Sequence, residues 1–171
     1  MKPTPIKVPK DKQLLLISGI PGCGKTTFCR YSKNRFNFTH YDMENPEEWP
    51  HPQLHSVWNY SRKKFIRRLK ELHDRVVLDW GFPPSCISLI FEMQAEGVRI
   101  VWFKADINAA RRIFNKRGTV PSKCFEIQIE AIDQAGLPCG LGAIEVNVLT
   151  RSGRPRKPEA IAKAIFAAVE C

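Results

Sequence analysis

Near the start of the chain stands the run Gly19-Ile20-Pro21-Gly22-Cys23-Gly24-Lys25-Thr26, a full match to the pattern G-x-x-x-x-G-K-[ST]. Its glycines accept backbone conformations that a side chain would hinder, so successive N–H groups can turn toward a single anion. The context is equally restrictive. Residues 14–18 form a continuous apolar run, as expected of a strand buried on both faces, and residues 26–33 read as a helix. A strand that feeds a helix through such a turn points the positive end of the helix dipole at the loop. The run therefore reads as a phosphate-binding loop in an α/β protein. Lys25 suits the β and γ phosphates of a nucleoside triphosphate, and the Thr26 hydroxyl suits Mg²⁺. The expected ATP contacts are Gly19, Ile20, Pro21, Gly22, Cys23, Gly24, Lys25, Thr26 and Thr27.

Downstream, apolar runs alternate with amphipathic segments. Strands are expected at 36–41, 76–79, 98–103 and 143–149. One long helix is expected at 54–72, where Leu54, Trp58, Phe65, Leu69 and Leu72 recur at near-heptad intervals. Others are expected at 84–96, closed by Gly97, at 107–116, opened by Asp106 and closed by Gly118, at 123–134 and at 159–169. Strands separated by helices imply parallel pairing, because parallel neighbours need long crossovers. The expected fold is α/β: a three-layer α/β/α sandwich with a five-stranded parallel sheet.

With 171 residues, 43% of them hydrophobic and 26% charged, the chain suits one globular domain over 1–171, of which 1–12 is a basic N-terminal tail. No apolar run reaches the roughly 20 residues of a membrane span. No apolar stretch with a cleavage site follows the tail's lysines, so a cytoplasmic protein is expected. The six cysteines lie at 23, 29, 86, 124, 139 and 171, without a C-x-x-C pair or a zinc-ligand spacing, which argues for reduced thiols. Cys23 lies at a helix N-terminus, a setting that lowers a thiol pKa. His51 and His55 lack a third ligand and have Pro52 between them, which speaks against a metal site there.

Lys and Arg number 27 against 17 Asp and Glu, a net charge of +10. Residues 61–75 alone carry seven basic and two acidic side chains, and 111–117 and 151–157 add four basic residues each. Such a field favours anionic partners: nucleotides, phosphorylated metabolites or a nucleic-acid backbone.

Val76-Val77-Leu78-Asp79 is an apolar strand ending in an acid, the form of a Walker B segment, which makes Asp79 the expected Mg²⁺ partner of Thr26. Trp80-Gly81-Phe82-Pro83-Pro84 would follow at the mouth of the site. The guanine-reading N-K-x-D motif of GTPases is absent.

From about Leu14 to Val169 the chain resembles the small P-loop kinases, the nucleoside monophosphate kinase-like group that includes adenylate, shikimate and gluconate kinases, 5′-hydroxyl polynucleotide kinases and zeta-toxin-like phosphotransferases. The resemblance implies an ATP- and Mg²⁺-dependent kinase acting on a hydroxyl. It makes Asp42, in Thr39-His40-Tyr41-Asp42, the expected base for the acceptor hydroxyl, with Glu44 in reserve. It makes 112–136 a lid and post-lid helix from which Arg112 and Arg117 neutralise phosphoryl charge. Residues 117–122, with Phe125 and Gln128, are similar to the post-lid stretch of gluconate kinases, and Arg154 is placed to stack on adenine. The expected acceptor is a sugar, sugar acid or nucleoside. A polynucleotide 5′-hydroxyl kinase, with 61–75 as a backbone track, is the alternative, and a nucleotide-dependent regulatory NTPase a further one.

Overall fold

The computed structural model describes residues 6–150 and 152–170. Arg151, Cys171 and the first five residues of the basic tail lie outside them. Five strands, β1 (Gln13–Gly19), β2 (Thr39–Asp42), β3 (Arg75–Asp79), β4 (Arg99–Lys104) and β5 (Ile144–Asn147), form one sheet in the order β2-β3-β1-β4-β5. Every pairing is parallel. All seven residues of β1 are buried, as its unbroken apolar run requires at the centre of a sheet covered on both faces.

Among the described residues seven helices supply the cover: α1 (Lys25–Phe36), α2 (Leu54–Tyr60), α3 (Arg62–Leu72), α4 (Ile87–Ala95), α5 (Ile107–Arg117), α6 (Ser122–Gln134) and α7 (Pro158–Val169). Side chains alternate along each strand, so two hydrophobic layers result. Leu15, Ile17, Val77 and Phe103 meet Phe28 and Cys29 of α1, Ala110 of α5, Phe125 of α6 and Ile165 of α7. Leu16, Leu78 and Tyr41 meet Phe65, Ile66 and Leu69 of α3 and Ile90 and Met93 of α4. The chain is thus the expected α/β/α sandwich.

Several boundaries differ from the sequence reading. The long helix expected at 54–72 is broken at Ser61, which is extended (φ −157°, ψ 112°) and accepts the Lys64 N–H on its hydroxyl. Serine competes for backbone hydrogen bonds, so here it ends α2 and caps α3. Phe36 belongs to α1 rather than β2, because Asn37 turns left-handed (φ 59°) and delays the strand to Thr39. Residues 84–86 form a 3₁₀ turn before α4, and β5 ends at Asn147, two residues short of the expected Leu149. Asp106 caps α5 through its Oδ1 on the Ala109 N–H, and Gly118 closes it at φ 63°.

Sheet order decides where chemistry can occur. The chain leaves β1 for the edge strand β2, returns in β3 beside β1, and then crosses to β4 on the other side of β1, which opens a crevice at the carboxyl ends of the central strands.

Candidate active site

The 19–26 loop lies at that crevice. Gly24, at φ 85°, offers no side-chain cap to α1, so the first-turn N–H groups lack the usual side-chain acceptor, the condition in which a helix start can receive an anion. A Cβ on Gly19 (φ 141°) would lie 2.6 Å from the Phe103 carbonyl oxygen, and one on Gly22 (φ 75°) would lie 2.5 Å from that of Ala110. The loop is therefore wedged between β4 and α5 as well as bent. Lys25 Nζ folds over it, donating to the carbonyls of Gly19 at 3.3 Å and Ile20 at 3.2 Å. Cys23 is buried, and burial pushes its thiol pKa up despite Lys25 beside it, which corrects the expectation of a lowered value at a helix N-terminus. Thr26 is half-buried and Thr27 exposed.

Asp79, the last residue of β3, is only 4% exposed, and its Oδ2 has no hydrogen-bond partner. A carboxylate in such a place normally has its charge answered. Parallel register sets it beside Asp42 of β2 and Ile17 of β1, at the foot of the loop. His40 Nε2, also buried and unpartnered, lies 3.6 Å from Asp79 Oδ2.

Asp42 is held firmly. Its Oδ1 accepts the Glu44 N–H at 3.0 Å, its Oδ2 accepts Asn45 Nδ2 at 2.8 Å, and its carbonyl accepts Trp49 Nε1 at 2.6 Å. Glu44 is exposed as a residue, but its carboxyl turns into the cleft. A Cβ on Gly81 would lie 3.8 Å from Glu44 Oε1 and 3.4 Å from Lys25 Nζ, so the bare glycine lets the two groups converge. Desolvation pushes the Glu44 carboxyl pKa up, Lys25 opposes this, and Asp42 and Asp79 add to it. Beyond Asp79 an aromatic wall rises: Trp80 packs edge-on against Trp58 and Phe82, and Arg62 lies over Trp58.

A cavity of about 730 Å³ opens at the carboxyl ends of β4 and β5. Arg112, Lys104, Thr150, Gly153 and Arg156 line it. The structure brings Arg112 to this cavity but not Arg117 or Arg154. Arg117 is exposed at the end of α5, and Arg154 is an exposed residue whose backbone closes the turn with Thr150. Arg156, which the sequence reading left unassigned within the basic stretch 151–157, takes the lining position instead. Arg111 is occupied elsewhere: it grips Glu126 of α6 through Nε and Nη2 and covers the Phe125 ring. The basic face of α3 is partly answered, since Glu96 pairs with Lys63 and Arg67 and accepts Lys70 on its carbonyl, and Arg68 pairs with Glu71.

No family model matches the chain, and no curated protein matches it in sequence. Solved structures do match in shape. A gluconokinase from Sinorhizobium meliloti 1021 superimposes with a TM-score of 0.61 at 13% identity, over 95% of this chain and 94% of that one. Shikimate kinase from Bacteroides thetaiotaomicron gives 0.60 at 14% identity, over 93% and 99%. A sugar kinase from Janibacter sp. HTCC2649 gives 0.60 at 13%, over 93% and 95%. At such identities the likeness establishes the architecture: the chain has the fold of the small P-loop kinases. No helix among the described residues is long and apolar enough to cross a membrane.

Proposed function

We propose that this protein, folded as a small P-loop kinase, transfers the γ-phosphoryl group of ATP to a hydroxyl of a small acceptor of the sugar, sugar-acid or nucleoside type. The observation that carries the reading is the pairing of an uncapped, glycine-bent helix start with a buried carboxylate oxygen that has no partner, Asp79 Oδ2, at the end of the neighbouring strand. One element is electrically suited to phosphate oxygens and the other to a cation that accompanies them.

Thr26 and Asp79 would hold Mg²⁺, whose hard, oxygen-seeking charge neutralises the triphosphate when bound. The loop amides would orient the phosphates. Lys25 would exchange its two long bonds to loop carbonyls for phosphate oxygens. Asp42 would accept the acceptor's proton: its oxygens are fixed by Glu44 N–H and Asn45, and each keeps a lone pair for a hydroxyl. Glu44, beside Lys25, is the reserve base. Arg112 would neutralise phosphoryl charge from the cavity wall, with Arg117 arriving as 112–136 closes over the nucleotide. Arg156, which lines the cavity after β5, would cover the adenine in place of Arg154. Acceptor class is supported by the gluconokinase, shikimate kinase and sugar kinase neighbours, and by the internal pairing of the α3 basic face, which leaves less charge for a polynucleotide track.

The test is a transfer assay with γ-labelled ATP and Mg²⁺ across pooled sugars, sugar acids, nucleosides and 5′-hydroxyl oligonucleotides, with Lys25→Ala as the blank. Label should enter a small-molecule pool and vanish in the blank. Label that enters no pool, or persists in Lys25→Ala, defeats the proposal.

A further inference from the structure

The floor of the 19–26 loop holds a second constellation, of which the kinase reading uses only Asp79. Cys29, His40 and Asp79 each offer one ligand atom, and these atoms all lie within 4.8 Å of one another. They come from separate elements, α1, β2 and β3, brought together by the same packing. Cys29 lies one helical turn beyond Lys25 and is fully buried against the sheet. The period of two along β2 sends Tyr41 to the α3 side, where it bonds His73, and so sends His40 to the α1 side. Asp79 shares the α1 side with Val77 for the same reason.

His40 Nε2 and Asp79 Oδ2 are both buried without a hydrogen-bond partner. Their 3.6 Å separation is too long for a good hydrogen bond. It is close to the roughly 3.3–3.6 Å that two ligands of one tetrahedral Zn²⁺ ion keep, given metal–ligand bonds of about 2.0–2.3 Å. Thiolate and imidazole are ligands that Mg²⁺ does not choose and that Zn²⁺ and Co²⁺ do.

We propose that Cys29, His40 and Asp79 form a site for one thiophilic divalent cation, of the Zn²⁺ or Co²⁺ class, beneath the phosphate loop. Cation binding displaces the Cys29 proton to solvent, forms a metal–sulfur bond, and leaves a fourth position for water. It also claims the Asp79 oxygen assigned above to Mg²⁺, so an occupied site slows phosphoryl transfer. That second consequence rests on the kinase reading, whereas cation binding does not.

Cobalt makes the two separable. The full chain, free of nucleotide and Mg²⁺, is titrated with Co²⁺ and followed in the near ultraviolet, where a thiolate–Co²⁺ bond gives a charge-transfer band. One equivalent should saturate the band. Cys29→Ala should abolish it, Cys23→Ala should leave it intact, and His40→Gln should weaken Co²⁺ binding by at least about tenfold. Thermal melts of the metal-free variants establish that each is folded, and Cys29→Ser, which keeps the side chain's size, replaces Cys29→Ala should that variant fail to fold. Absence of the band in the unaltered chain, its survival without the Cys29 sulfur, or its loss in folded Cys23→Ala would overturn the site. In the transfer assay, Zn²⁺ should inhibit the unaltered chain and not Cys29→Ala. Equal inhibition of both would overturn the claim on Asp79, and a chain that binds Co²⁺ but transfers no phosphate would refute the kinase reading while leaving the cation site standing.

Discussion

At the residue scale, the loop glycines, the acid that ends β2 and the one just after it carry the sharpest consequences. Gly22→Ala places a Cβ in the left-handed region and against the Ala110 carbonyl oxygen, so the loop must shift away from α5. Nucleotide affinity should fall by more than tenfold, measured by calorimetric titration with Mg²⁺-ATP. Asp42→Asn should lower the transfer rate by about 10²–10⁴-fold, the usual weight of a general base. Glu44→Gln should retain most of the rate, and the reverse outcome in single-turnover kinetics would move the base assignment to Glu44. Stability offers a separate reading of Glu44. Folding raises its carboxyl pKa, chiefly through desolvation, so the folded state favours the protonated form. The associated stabilisation is full below the ordinary glutamate range and is lost as pH rises through the raised value. Chemical denaturation of Glu44→Gln should thus show a variant that gains on the unaltered chain as pH rises across that window.

At the scale of elements, Ser61 separates two helices that the apolar spacing alone would join. Its hydroxyl accepts the Lys64 N–H at 3.3 Å, so Ser61→Ala should destabilise the protein by about 1 kcal/mol, the usual value of an N-cap, in urea unfolding. The apolar stripe of α3 is a heavier contribution. Phe65 is fully buried among Tyr41, Trp49 and Trp58, and Phe65→Ala should cost about 3–5 kcal/mol as a shift in the unfolding midpoint. Helix α5 shows how one basic cluster divides its work: Arg111 pins α6 through Glu126, whereas Arg112 faces the cavity. Helical phase separates these adjacent residues by about 100°, and only the neighbouring helix reveals that Arg111 is engaged by Glu126.

At the scale of the whole molecule, half of the net charge of +10 falls within residues 61–75, and part of that α3 surplus is answered by Glu96 and Glu71. A neutral small acceptor should show a KM that changes little between low and moderate salt, whereas a polynucleotide acceptor would lose affinity steeply through counterion release. The glycine-bent turn at 19–26, the central buried strand, the parallel α/β/α architecture and the acid closing β3 were legible in the chain, because each depends on neighbours a few residues away: glycine freedom, apolar runs, a helix start. The break at Ser61, the burial that raises the Cys23 thiol, the choice of Arg156 over Arg154 for the cavity wall, and the meeting of Cys29, His40 and Asp79 belong to the tertiary structure alone. Those features depend on which strands lie side by side and which helix face meets them, and contacts between distant parts of a chain leave no periodicity in its sequence.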